Sequence, residues 1–271
     1  MKNLSVCVLG VVLLSAIAGR ATAGQITFTW GDAGLHIVGE RPEFIPTGSA
    51  VFDITGSTLT ITLTNDSPQQ MQSIGEVLSG IAWDITDSTV VLTKLTATIP
   101  AGSRLFNPLH PATDLSGEWG FKDDLDAGLS SAGPLGAFGI SSVGDVNFGF
   151  DTFGPNDRFD PSQNLFGPPS GSLNGADASI VGAVVDFTKG GFQKHGPVVQ
   201  GWDGTNAMPG QVVFNFSFTG DLTEDDITNV IPFFGTDGAV LAPEPSSIAL
   251  LGIGAISLFG YGRRRRRVQP R

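Results

Sequence analysis

Apolar and polar residues alternate with a period of two through the regular stretches of this chain, and no stretch between residues 24 and 242 sustains the 3.6-residue period of an amphipathic helix of useful length. Gln25 to Trp30 places Ile26, Phe28 and Trp30 on one face. Ala50 to Asn65 reads as a hairpin: Ala50, Phe52 and Ile54 share a face, Thr55-Gly56-Ser57-Thr58 turns, and Leu59, Ile61 and Leu63 return on the same side. Thr58, Thr60, Thr62 and Thr64 fall on the opposite, solvent side, where a β-branched residue suits a pleated surface. Ser67-Pro68 through Leu78 has the punctuation of a short helix, with Ser67 as N-cap and Met71, Ile74 and Leu78 apolar. Strand periodicity resumes at Ile81, Trp83 and Ile85 and continues from Val90 to Ile99. Residues 100–169 are dominated by Gly, Pro, Asn and Asp with isolated aromatics, a content that argues against disorder and predicts short strands between long ordered loops. Ala178 to Thr188 predicts a buried strand, Val198 to Trp202 a short one, and Gln211 to Thr219 a strand with Val212, Phe214, Phe216 and Phe218 facing inward. The fold class expected is all-β: an antiparallel β-sandwich-like domain with long Gly/Pro/Asp-rich loops. The more regular ends, 24–99 and 176–241, would supply its two sheets.

The two termini follow other rules. Met1-Lys2-Asn3 is a short basic start, Leu4 to Ala18 is apolar, and Ala21-Thr22-Ala23 is a small-x-small site. This is the layout of a secretory signal peptide over residues 1–23, cut by signal peptidase after Ala23. Cys7 lies too early to be a lipid-modified cysteine and reads as an apolar filler. At the other end, Pro243-Glu244-Pro245 can neither continue a helix nor donate to a sheet, which predicts an exposed, extended break in the chain. An apolar run, Ile248 to Tyr261, predicts a hydrophobic helix over about 247–262, short for a perpendicular bilayer crossing. Arg263, Arg264, Arg265, Arg266 and Arg267 then form a stop-transfer cluster that stays on the cytoplasmic side. The order of these three parts resembles the PEP-CTERM sorting signal of bacterial surface proteins. The resemblance covers only residues 243–271. It implies recognition at Pro243, Glu244 and Pro245 by the membrane enzyme exosortase, transient anchoring in the inner membrane with the C-terminus cytoplasmic, and delivery to the cell surface or extracellular matrix of an exopolysaccharide-producing bacterium.

Charge sharpens the picture of the exported part, residues 24–242. The whole chain carries −11, but eight of its 15 Lys and Arg lie in the two terminal segments. The remaining seven face 25 Asp and Glu, a net charge near −18. Nucleic-acid binding is excluded, because it relies on Lys and Arg neutralising phosphates. Such a charge suits divalent cations or neutral partners such as extracellular polysaccharide, and it equally suits a solvated acidic surface. With Cys7 as the sole cysteine, the exported domain has neither a disulfide nor a cysteine metal site.

Catalytic motifs are missing. His36, His110 and His195 sit in no recognisable triad or zinc pattern, and Gly139-Ile140-Ser141-Ser142-Val143-Gly144 is not a nucleophile elbow. Two carboxylates for a glycosidase could always be found among 25, which is availability and no more. Asp124 and Asp126 in Asp123-Asp124-Leu125-Asp126-Ala127-Gly128 form half of a calcium loop, or else solvated turn carboxylates that accept backbone N–H bonds. Trp119 and Trp202 lie in Gly-rich loops and are candidates for stacking on sugar rings, or for pinning their loops to the core. The reading is a non-enzymatic exported surface or matrix protein. A glycan-binding module, with or without calcium, is the alternative, and a polysaccharide hydrolase a more distant one.

Overall fold

In the computed structural model, the described residues are 24–31, 35–37, 41, 43–106, 112–123, 137–143, 166, 177–192, 197–235 and 239–243. The Thr-rich hairpin forms where the alternation places it: β3 (Gly48–Thr55) and β4 (Thr58–Asn65) pair antiparallel from Gly48↔Asn65 to Thr55↔Thr58. Gly56 opens the two-residue turn with φ +62°, a conformation glycine adopts without a Cβ penalty. Ala50, Phe52, Ile54, Leu59, Ile61 and Leu63 are all fully buried, so the alternation maps onto one inner face. Thr64 departs from expectation. It is buried, and its hydroxyl accepts a hydrogen bond from Gln211 Nε2 at 3.1 Å, which turns the end of the threonine row into an inter-strand contact.

Around this hairpin, β1 (Gly24–Trp30), β6 (Val91–Thr98) and β12 (Gly210–Thr219) complete an antiparallel five-stranded sheet in the order β1-β3-β4-β12-β6. The second layer is a six-stranded antiparallel sheet. Its members are β2 (Leu35–Ile37), β5 (Leu78–Ile85), β8 (Gly120–Lys122), β9 (Phe138–Ser141), β13 (Ile227–Phe234) and β14 (Ala239–Pro243), in the order β2-β14-β13-β5-β9-β8. A three-stranded sheet of β7 (Ser103–Phe106), β10 (Val198–Trp202) and β11 (Ala207–Met208) extends it. Ile180 stitches the two together by bridging Leu78 of β5 and Val199 of β10. Each of the two larger sheets draws strands from both ends of the chain. The expectation that 24–99 and 176–241 form separate sheets is therefore corrected: β12 inserts between β4 and β6, and β13 pairs with β5.

Where the sheets face each other, aromatic rings fill the gap. Trp83 of β5 packs edge-on against Phe52 (5.8 Å) and Phe216 (6.4 Å) of the opposite sheet and stacks with Phe138 (5.9 Å) and Phe121 (6.3 Å) of its own. Each such pair is worth about 0.5–1.5 kcal/mol beyond area burial. Phe214 and Phe216 of β12 meet Trp119 and Phe166 from the connecting loops.

Two further expectations change. No helix runs from Ser67 to Leu78. Ser67 instead ties its backbone N–H to Asn65 Oδ1 and its hydroxyl to Thr47, and a single 3-10 turn forms at Ile74–Glu76 with Ser73 as its cap. The turn is fixed from outside: the fully buried carboxylate of Glu76 accepts from Arg41 Nε at 2.7 Å, from Gln72 N at 2.6 Å and from Ser73 N at 3.2 Å. Ala178 to Thr188 is not a strand either. Ala178 adopts φ +59°, which interrupts an extended run, and the segment forms isolated bridges at Ile180 and Val185 in place of a continuous ladder. Among the described residues there is no α-helix, and no helix is long and apolar enough to cross a membrane. The hydrophobic helix expected at 247–262 lies outside the described residues.

Candidate functional site

The C-terminal motif begins where the sheet ends. The chain leaves β13 through buried Phe233 and Phe234, turns at Gly235 (φ +77°), whose N–H donates to Val77 O at 2.9 Å, and returns as β14. The first half of β14 pairs with β13 (Val240↔Phe233, Ala239↔Phe234), and the second half with β2 (Leu241↔Ile37, Ala242↔His36, Pro243↔Leu35). Pro243 is the last residue of this strand, a position suited to a residue that lacks an N–H donor. The first residue of the Pro-Glu-Pro triplet is thus held in a sheet, in register, while Glu244 and Pro245 follow directly. Glu244, Pro245 and the arginines from Arg263 to Arg267 lie outside the described residues, as do Ala21 and Ala23 at the other end. His36 of β2 meets Ala242 in the backbone register; His110 and His195 fall outside the described residues.

A second feature is a cleft of about 260 Å³ lined by Leu105, Leu115 and Pro197 and by the carboxylic residues Asp114, Glu118 and Asp177. Burial pushes the Glu118 carboxyl above the usual carboxylate range, and the negative charge of Asp177 adds to the shift. Asp114 goes the other way, lowered by hydrogen bonds from Ser116, whose backbone N–H donates at 2.9 Å. Reading the sequence missed this pairing because Glu118 and Asp177 belong to separate loops, and no local motif links them.

The two loop tryptophans part company. Trp119 is fully buried, its ring 4.8 Å from that of Phe214 and its Nε1 donating to Ala178 O at 3.2 Å. It pins its loop to the core and offers no face to a sugar, which corrects its candidacy as a stacking residue. Trp202 is half-buried at the end of β10, with the Arg104 guanidinium over its ring at 4.0 Å. One face of that indole is therefore occupied by a cation–π contact within the chain.

Asp124 and Asp126 lie outside the described residues. Among the described residues, no three His, Cys, Asp or Glu side chains gather as a metal site would need. In the acidic stretch Glu224-Asp225-Asp226, Asp226 is committed to protein partners: it accepts from Thr223 N and Oγ1 and from Thr86 Oγ1. Ser141 and Ser142, the hydroxyls nearest to a nucleophile pattern, are buried and hydrogen-bonded structurally, Ser141 to the backbone of Val143 and Ser142 to Ser179 Oγ at 2.6 Å.

Residues 241–267 match the PEP-CTERM protein-sorting motif. The match starts inside β14 and runs through the triplet, the apolar run and the five arginines. No curated protein and no solved structure matches the chain. The motif marks the chain for exosortase-dependent export, with the C-terminal tail as a transient membrane anchor.

Proposed function

We propose that this chain is a non-enzymatic structural protein of the bacterial cell surface or extracellular matrix, carried there by exosortase and associated with exopolysaccharide. The observation that carries the reading is the sorting motif set directly onto the last strand of an all-β domain. A cut within or after Pro243-Glu244-Pro245 leaves all the described strands on the exported side, so processing releases an intact sandwich. The five arginines act as a stop-transfer that holds the C-terminus in the cytoplasm until the cut is made.

Polysaccharide association follows from charge and company. An acidic domain near −18 is repelled by anionic lipid but not by neutral polymer, and the sorting route it uses belongs to polymer-producing cells. The test is fractionation of cells producing the full chain, before and after enzymatic removal of extracellular polysaccharide. Release of the processed protein along with the polymer is the expected result. Retention on the cell envelope after the polymer has gone would contradict matrix association while leaving the sorting step intact.

A further inference from the structure

The outer edge of the five-stranded sheet carries a carboxylate with a missing partner. Glu224 begins the 3-10 turn Glu224–Asp226, which packs against β1 and β3. Its Oε2 is shielded from solvent and has no hydrogen-bond partner among the described residues. The other members of the turn are accounted for: Asp226 accepts from Thr223 and Thr86, and Asp225 is exposed. The carboxylate of Glu224 is aimed at Gly24, the first residue of β1. A Cβ placed on Gly24 would run into Glu224 Oε2, and Oε1 would lie 2.7 Å from it. Only glycine leaves the carboxylate this room. With N–Cα and Cα–Cβ bonds of about 1.5 Å, the nitrogen of Gly24 is then within roughly 5 Å of Oε1.

Gly24 is also the residue that follows the small-x-small site Ala21-Thr22-Ala23. Hydrolysis of the Ala23–Gly24 amide adds one water, leaving a carboxylate on Ala23 and an amine on Gly24. A free α-amino group has a pKa of about 7.7–8.0, so at neutral pH this amine takes up a proton. We propose that signal-peptide removal creates the missing partner of Glu224: the new α-ammonium of Gly24 pairs with the Glu224 carboxylate and locks the start of β1 onto the Glu224–Asp226 turn. In the precursor the same nitrogen is an uncharged amide, so the pair exists only after export. The inference rests on cleavage after Ala23 and is independent of the C-terminal sorting signal.

The test uses the processed full-length exported protein and measures the acylation rate of its N-terminal amine at pH 7, read by mass spectrometry of the N-terminal peptide. Pairing with a carboxylate raises the amine's pKa and lowers its reactive, unprotonated fraction by tenfold per unit. Glu224→Gln is expected to speed labelling about tenfold, and Asp225→Asn, in the same turn but exposed, to leave it within about twofold. Inserting a serine between Ala23 and Gly24 moves the ammonium one residue away from Glu224. Labelling should then be fast whichever residue occupies position 224. Equal labelling of the parent and the Glu224→Gln protein, or an equal effect of Asp225→Asn, would overturn the pairing. So would a mature N-terminus other than Gly24, an outcome that leaves the sorting reading untouched.

Discussion

Glu76 and Arg41 form an ion pair with one fully buried partner, and removing either should reveal an asymmetry. The Glu76 side chain is 0% exposed, whereas that of Arg41 retains 27%. Arg41→Met leaves a buried carboxylate with two backbone N–H donors, from Gln72 and Ser73, and no cation. Breaking a buried pair in this way costs about 3–5 kcal/mol. Glu76→Gln leaves the arginine its bond to Gln70 O (2.8 Å) and its ion pair with Glu43 (3.6 Å), but it sets an amide NH₂ against existing donors. Its cost should be smaller, about 2–3 kcal/mol, the penalty of losing charged hydrogen bonds. The double variant should cost less than the sum, with a coupling of about 2 kcal/mol. Urea unfolding of the exported protein, followed by tryptophan fluorescence, reads these as midpoint shifts of roughly 1 M or more for Arg41→Met. Arg41→Met proving milder than Glu76→Gln, or strict additivity, would refute the burial argument.

Trp119→Ala removes a buried indole and strands the Ala178 carbonyl, so it should destabilise by about 3–5 kcal/mol in the same urea assay. Gly80→Ala drives a Cβ into the Ile140 carbonyl across the β5–β9 pair and should cost about 1–3 kcal/mol, with loss of the near-ultraviolet circular dichroism of the Trp83 stack. Glu118 has a folded-state pKa above its unfolded value, so the folded protein holds that proton more tightly, and ionisation destabilises it as pH rises through the folded pKa. Glu118→Gln should therefore raise stability at neutral pH and lose that advantage as pH falls toward the unfolded carboxylate value; parallel pH–stability profiles for parent and variant would contradict this. Asp114 and Asp226 are shifted downward, so their contribution is present above the ordinary carboxylate value and fades only as pH falls below it, a loss that Asp226→Asn should abolish in part.

Much of the sandwich was legible in the sequence because period-two alternation survives wherever a strand has one inner and one outer face. The hairpin at 48–65 and the aromatic row of β12 are the clearest cases. The sheet order was not legible. Nothing local says that β12 will insert beside β4, since that choice depends on rings from both layers closing around Trp83. The failures at 67–78 and 178–188 share a cause. Ser67, read as a helix cap, is held instead by Thr47, and the only turn that forms, at Ile74–Glu76, is tied down by Arg41 bonding Glu76. Ile180 and Val181 are apolar because they are buried at the joint between two sheets, whereas Val184 turns out to solvent; positive φ at Ala178 and close packing of Gly182 on Ser67 O forbid a regular ladder. The sorting tail was readable residue by residue, being a linear signal read before any fold matters. The Glu118–Asp177 pairing and the orphan oxygen of Glu224 were invisible, because each joins loops or turns far apart along the chain.

The intact mass of the protein recovered from the surface of exosortase-bearing cells, compared with that from cells lacking the enzyme, tests the sorting step directly. A species beginning at Gly24 and ending within or next to Pro243-Glu244-Pro245 is expected from the first, and a membrane-held species retaining Arg263 to Arg267 from the second. Surface protein that keeps its five arginines in enzyme-bearing cells, or identical masses from the two, would contradict it.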